Sequence, residues 1–232
     1  MVTRNPIMVA IDTMDRESAL RLARLTAPSV GAFKIGLGLL HGPGAGLIAE
    51  LTNLGRPVFA DAKLHDIPTQ VERAAVALGR AGARWVTVHA SGGTEMMEAA
   101  VAGLRAGSEN AGGILSVSVL TSLDQASLQQ VGIEGEPPAL VSAMARAAAA
   151  AGAEGMVCSP REIGVVKAAA PELAIVTPGI RPIGVAAGDQ RRTATPAAAV
   201  AAGATWLVVG RPITAADDPA GAAAAIAEEC NT

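Results

Sequence analysis

Four ionisable side chains fall within six residues of the segment Asp61-Ala62-Lys63-Leu64-His65-Asp66. Asp61 and Lys63 are two apart, which in an extended strand turns both side chains to the same side. Burying such charges is costly unless they are paired. Brought together, Asp12, Lys34, Asp61, Lys63 and Asp66 make an alternating set of carboxylates and ammoniums. Carboxylates around a lysine favour its charged form. A lysine kept protonated is a proton donor, not a Schiff-base nucleophile, which needs the neutral amine. The same five residues also read as a structural ion-pair lattice that ties strand ends together, and spacing supports both readings equally. Asp61 and Asp66 are in principle a Mg2+ pair, but Lys63 between them competes with a cation.

A second group lies toward the end of the chain. Pro178-Gly179-Ile180-Arg181-Pro182 and Gly210-Arg211-Pro212 each place a glycine close to an arginine. Glycine lets backbone N–H groups approach an anion closely, and a guanidinium presents a planar fork to phosphate oxygens. Residues 183–192, with Gly184 and Gly188, read as a lid whose Gln190 reaches over the phosphate with a neutral amide. Glycine and proline are also common in ordinary turns; finding the pairing twice favours the phosphate reading. The three histidines, His41, His65 and His89, lack metal-site spacing. His65 and His89 are expected to be hydrogen-bonded structural residues.

These residues need elements to hold them. Short apolar, β-branched runs occupy 7–11, 33–36, 58–63, 85–89, 114–120, 155–158, 174–177 and 206–210. Continuous apolarity suits parallel strands covered on both faces. Helical patterns lie between them at 16–25, 45–54, 69–81, 94–106, 139–151 and 161–170, then from Pro196 to the stop at Gly203, and at 221–229. Asp15 is placed to cap the first. Eight strand–helix repeats predict an α/β fold of the (β/α)8 TIM-barrel type, with residues 1–232 as a single domain. In such a barrel the active site sits at the C-terminal strand ends, and the loops after strands seven and eight often bind phosphate. An open doubly wound sheet is the alternative, but Gly36-x-Gly38 is followed by His41 where its third glycine belongs.

Composition narrows the function classes. The chain has 232 residues, half of them hydrophobic, and a formal net charge of −3 with no basic run. That speaks against a nucleic-acid or anionic-membrane surface. With two Trp, two Phe and no Tyr, a base-stacking platform is not expected. No apolar stretch approaches the roughly 20 residues that span a bilayer, and residues 1–8 lack a signal peptide's apolar core. Cys158 and Cys230 match no redox or metal spacing. A reduced, cytoplasmic setting is expected. The alanine runs at 147–151 and 222–225 read as helices packed closely on a sheet.

Taken in order, these segments resemble the orotidine 5'-phosphate decarboxylase family. The signature is Phe59-Ala60-Asp61-Ala62-Lys63-Leu64-His65-Asp66-Ile67-Pro68. It is accompanied by Val9-Ala10-Ile11-Asp12, Lys34-Ile35-Gly36, Val88-His89-Ala90-Ser91-Gly92-Gly93, Val119-Leu120-Thr121-Ser122 and Val157-Cys158-Ser159. Thr177 to Pro182, Gly188 to Arg192 and Val209 to Ile213 complete it. The resemblance implies decarboxylation of orotidine 5'-monophosphate to UMP and CO2, the last step of de novo UMP synthesis, without metal or organic cofactor. It implies Lys63 as the acid that protonates C6, Asp61 beside the departing carboxylate, and Lys34 and Asp66 completing the charged array. Asp12 and Lys34 would contact the ribose hydroxyls, and Thr121 or Ser122 the pyrimidine. Arg211, Gln190 and the backbone of Gly210 would hold the phosphate, with Arg181 nearby. Ile67, Thr69, Gln70 and Pro178 complete the substrate-binding positions. It also implies a homodimer in which Asp66 reaches into the partner's site.

The chain departs from the family pattern in places. Ala60 and Ala62 stand where bulkier residues are common, Gln70 replaces a threonine, and no tyrosine is available to the phosphate. Three rivals remain. A metal-dependent sugar-phosphate decarboxylase or epimerase shares the Asp-x-Lys-x-x-Asp arrangement, against which the 178–182 and 188–192 segments speak. A non-catalytic phosphate-binding barrel would bind UMP without turnover. A Schiff-base aldolase would use Lys63 as a nucleophile.

Overall fold

In a computed structural model, which describes residues 5–109, 111–182 and 193–230, eight parallel strands close into a barrel in sequence order. They are β1 (Ile7–Ile11), β2 (Ala32–Ile35), β3 (Val58–Leu64), β4 (Ala83–His89), β5 (Gly113–Val117), β6 (Gly155–Val157), β7 (Ala174–Thr177) and β8 (Trp206–Val209). β1 pairs with β8 to close the ring. The helices among the described residues are α1 (Arg16–Thr26), α2 (Leu37–His41), α3 (Gly46–Thr52), α4 (Pro68–Arg80), α5 (Thr94–Gly107), α6 (Gln125–Gln130), α7 (Pro137–Ala150), α8 (Ile163–Ala169), α9 (Pro196–Ala202), α10 (Arg211–Thr214) and α11 (Pro219–Glu229). None is long and apolar enough to cross a membrane.

The expected barrel is therefore present, with three corrections. β5 ends at Val117 rather than at residue 120. The pattern over 161–170 is a 3-10 turn, Pro160–Glu162, followed by α8. The short helices α2, α6 and α10 lie in segments where no helix is expected from the sequence. The expected cap on α1 is made: Asp15 accepts from the Ser18 N–H at 2.8 Å.

Strand alternation builds two apolar layers. Ile7, Val9 and Ile11 face outward into the large core beneath the helices, each buried branched side chain stabilising the fold by roughly 1.5–3 kcal/mol. Met8, Ala32, Phe59, Trp85, Leu115, Val176 and Trp206 fill the barrel interior. The two tryptophans meet edge-on with centroids 5.2 Å apart, and the Trp85 indole N–H donates to Glu154 at 2.7 Å. This packed lower layer is the floor on which the polar upper layer stands.

Candidate active site

The strand parity that puts Met8, Ala32 and Phe59 in the floor brings Asp12, Lys34 and Asp61 to the upper mouth. They line a cavity of about 600 Å³ together with Lys63, Thr121, Pro178, Gly179, Arg181, Gly210, Arg211 and Thr214. That volume suits a ligand of nucleotide size. The charges alternate as expected. Lys34 Nζ lies 3.2 Å from Asp12 Oδ1 and 3.4 Å from Asp61 Oδ2, and Lys63 Nζ lies 2.6 Å from Asp61 Oδ1. A Cβ at Gly36 would sit 3.0 Å from Lys34 Nζ, so glycine there leaves room for the ammonium.

β3 is distorted where the chemistry sits. Ala60 pairs with Val86 and Leu64 with Val88, so Asp61, Ala62 and Lys63 together oppose Thr87 alone. Lys63 adopts φ 47°, a left-handed conformation that costs a non-glycine residue on the order of 1–2 kcal/mol and that clusters at functional sites. Thr87, fully buried, accepts from the Lys63 backbone N–H at 2.9 Å and donates to Asp61 Oδ1 at 2.9 Å. Burial works to raise the Asp61 carboxyl. The Lys34 and Lys63 ammoniums and the hydrogen bonds from Lys63 and Thr87 outweigh it and hold the group below the usual carboxylate range. Asp61 is thus an anion committed to two cations. Among the described residues no group of three or more His, Cys, Asp or Glu side chains is arranged to hold a metal ion.

Across the cavity, Gly179 has φ 80°, which only glycine adopts at little cost. Gly210 precedes α10 and faces Asp12, whose Oδ2 would lie 3.8 Å from a Cβ there. The Arg181 backbone N–H donates to Ala194 at 2.9 Å, and Ile180 and Ala194 form an isolated bridge. Residues 180–181 and 194, on either side of 183–192, are therefore held together. Gln190 and the lid reading of 183–192 lie outside the described residues. Val117, Val119, Leu120, Val157 and Cys158 form an apolar wall of the same cavity, and burial pushes the Cys158 thiol up to about 12, so it stays neutral.

Other residues expected at the site lie apart from this cavity in the single chain. Asp66 is not part of the ion-pair network: it is exposed and accepts from the Ile67 N–H at 2.7 Å. Ile67, Thr69, Gln70 and Ser122 are also exposed and do not line the cavity of a single chain. His65 and His89 face each other as tilted rings with centroids 5.5 Å apart, a ring contact where hydrogen bonds were expected. Burial first, then the neighbouring His65 and Lys63 charges, lower the His89 pKa despite Asp61. Thr87 was missed. Its signal was a second polar residue of inward parity, two before His89, in the otherwise apolar run Trp85-Val86-Thr87-Val88-His89.

Comparison with known proteins agrees with this geometry. A profile of the family described as "Orotidine 5'-phosphate decarboxylase / HUMPS family" matches residues 5–226. An orotidine 5'-phosphate decarboxylase of Anaeromyxobacter sp. (strain K) is 51% identical over 222 residues, covering 95% of this chain and 96% of that protein. One from Heliobacterium modesticaldum is 44% identical over 235 residues, covering 99% and 97%. The crystal structure of orotidine 5'-phosphate decarboxylase from Lactobacillus acidophilus superposes with a TM-score of 0.88 at 35% identity, covering 98% of this chain and all of that one. Likeness that extends from the charged strand ends through nearly the whole length reflects common descent, and the chain belongs to the orotidine 5'-phosphate decarboxylase / HUMPS family.

Proposed function

We propose that the chain acts as one catalytic domain that decarboxylates orotidine 5'-monophosphate to UMP and CO2, with Lys63 as the proton donor. The observation that carries the reading is the Lys63 ammonium, held on the Asp61 carboxylate at one side of a cavity that also presents Gly179, Arg181, Gly210 and Arg211. Arg181 and Arg211 are suited to the phosphate. Thr121 and the apolar wall suit the pyrimidine, and Asp12 and Lys34 the ribose hydroxyls. Cleavage of the bond from C6 to the carboxylate leaves its electron pair on C6. The ammonium stabilises that charge as it develops and delivers its proton to C6, and the lysine regains a proton from solvent. Phosphate binding is remote from the reacting carbon, so its free energy is available to order the charged network. The chemistry invokes neither metal nor organic cofactor.

The exposed run 65–70, including Ile67 at 64% exposure, supports a homodimer in which Asp66 and its neighbours complete the partner's site. A fully active monomer in light scattering would contradict it. The relatives' biosynthetic role supports a cytoplasmic location. The direct test mixes purified protein with orotidine 5'-monophosphate, with and without EDTA, and follows the loss of orotate absorbance. EDTA-insensitive conversion to UMP is expected. Activity abolished by EDTA would favour the metal-dependent sugar-phosphate rival. Binding of UMP without turnover would favour the binding barrel.

A further inference from the structure

We propose that Thr87 is a positioning residue for the decarboxylation: its hydroxyl fixes the Lys63 backbone and the Asp61 carboxylate relative to each other. The inference rests on the proposed role of Lys63. Three residues of β3 stand against Thr87 alone, so the Lys63 N–H has lost its regular strand partner and finds the Thr87 hydroxyl oxygen instead, at 2.9 Å. The hydroxyl proton goes to Asp61 Oδ1 at 2.9 Å, and the same oxygen accepts from Lys63 Nζ at 2.6 Å. The four links form a closed ring: Lys63 N–H to Thr87 Oγ1, Thr87 O–H to Asp61 Oδ1, Lys63 Nζ to that same Oδ1, and the lysine's own side chain back to its backbone.

A bland explanation for a threonine here is strand propensity. Val86 and Val88 on either side show that valine meets that need on β4. A hydroxyl at 0% exposure is costly unless hydrogen-bonded, and this one uses both its donor and an acceptor position on the two residues assigned to the chemistry. The ring also holds a non-glycine residue at positive φ, a state that persists only where the surroundings enforce it. Without the hydroxyl the Lys63 N–H and one Asp61 acceptor site lose a partner together. The bulge then relaxes, and the ammonium moves from its place above the floor.

The test compares Thr87→Val, Thr87→Ser and Lys63→Ala in the full chain by steady-state kinetics on orotidine 5'-monophosphate and by UMP titration. For Thr87→Val, kcat is expected to fall roughly 10- to 100-fold, as for a reacting group misplaced by a fraction of an ångström to one ångström. KM and UMP affinity should stay within about threefold, and Thr87→Ser should restore kcat. A Thr87→Val enzyme with unchanged kcat overturns the proposal, as does equal loss of kcat and UMP affinity or failure of serine to rescue. Should the valine variant not fold, Thr87→Ala takes its place, and equal kcat for Ala and Ser overturns the proposal. Lys63→Ala separates the two ideas. If it retains turnover, the acid reading itself fails; if it is inactive while Thr87→Val keeps the parent's kcat, only the inference about Thr87 falls.

Discussion

Lys63 Nζ and Asp61 Oδ1 lie 2.6 Å apart although their backbones are separated by one alanine in a strand that bulges. Regular strand geometry already puts residues i and i+2 on one face, but about 7 Å apart along the chain. Here the left-handed turn at Lys63 brings the two charges into direct contact. One cation thus serves two purposes, compensating Asp61 in the resting protein and facing the cavity where a carbanion would form.

Replacing Lys63 by alanine removes the group proposed as both proton donor and stabilising charge. General acid catalysis contributes roughly 10²–10⁴-fold, and loss of the local positive charge adds to that. Turnover should fall by more than about 10³-fold. UMP affinity should remain largely intact, because Arg181 and Arg211 are untouched. Single-turnover kinetics with parallel UMP titration reads both, and substantial residual turnover would remove Lys63 from the acid role.

Arg211→Ala is expected to act on the phosphate alone. A hydrogen bond to a charged partner is worth roughly 1.5–3 kcal/mol, about a 10- to 100-fold weaker UMP affinity. Uridine, which lacks the phosphate, should bind the variant and the parent equally. Calorimetric titration of both ligands decides the matter, and equal weakening of the two would take Arg211 out of the phosphate subsite.

How far the site could be read from sequence depended on what each signal measures. Charges at the ends of apolar strands were legible because parity and the barrel rule place strand ends at the mouth, so Asp12, Lys34, Asp61 and Lys63 were found. Hydrophobicity, by contrast, reports burial rather than strand. Val119 and Leu120 prolonged the fifth apolar run because they wall the cavity, and β5 was read three residues too long. Nothing in a lysine's side chain announces positive φ, so the bulge at Lys63 was invisible, and with it the need for Thr87. Asp66, Ile67, Thr69 and Gln70 are exposed in the single chain, and the apolar pattern of β3 and α4 does not encode whether the residues between them turn to the cavity. Helices α2 and α10, at five and four residues, are too short for periodicity to appear.

His89 should make the protein acid-sensitive. Its pKa is depressed below the ordinary 6.5, chiefly by burial, so as pH falls below that value the unfolded chain takes up a proton that the folded chain resists. The contribution is complete above about pH 6.5 and is lost as pH falls from there through the lowered folded value. Thermal melts near pH 7.5 and pH 5.5 should show a larger loss of Tm for the parent than for His89→Asn. Equal losses would mean that His89 titrates normally.

The crossing of α4 and α5 offers a test of packing. A Cβ at Gly103 would overlap the Glu72 carbonyl oxygen, and one at Gly107 the Val76 carbonyl oxygen. Backbone thus meets backbone, and no side chain can rotate away. Gly103→Ala gains roughly 1 kcal/mol of helix propensity but must part the helices, and overpacking costs roughly 1–3 kcal/mol or more. For a chain of this size each kcal/mol moves Tm by about 2–4 °C, so a drop of several degrees is expected. Gly164 in α8 is the control, because a Cβ there meets nothing within 4 Å; Gly164→Ala should raise Tm by about 2–4 °C. α4 begins at Pro68, two residues after Asp66, so the Gly103 variant should also lose activity at temperatures where it stays folded. Parallel melts and initial rates for the two variants separate these effects. A stabilised Gly103→Ala protein would show that the helices have room to spare.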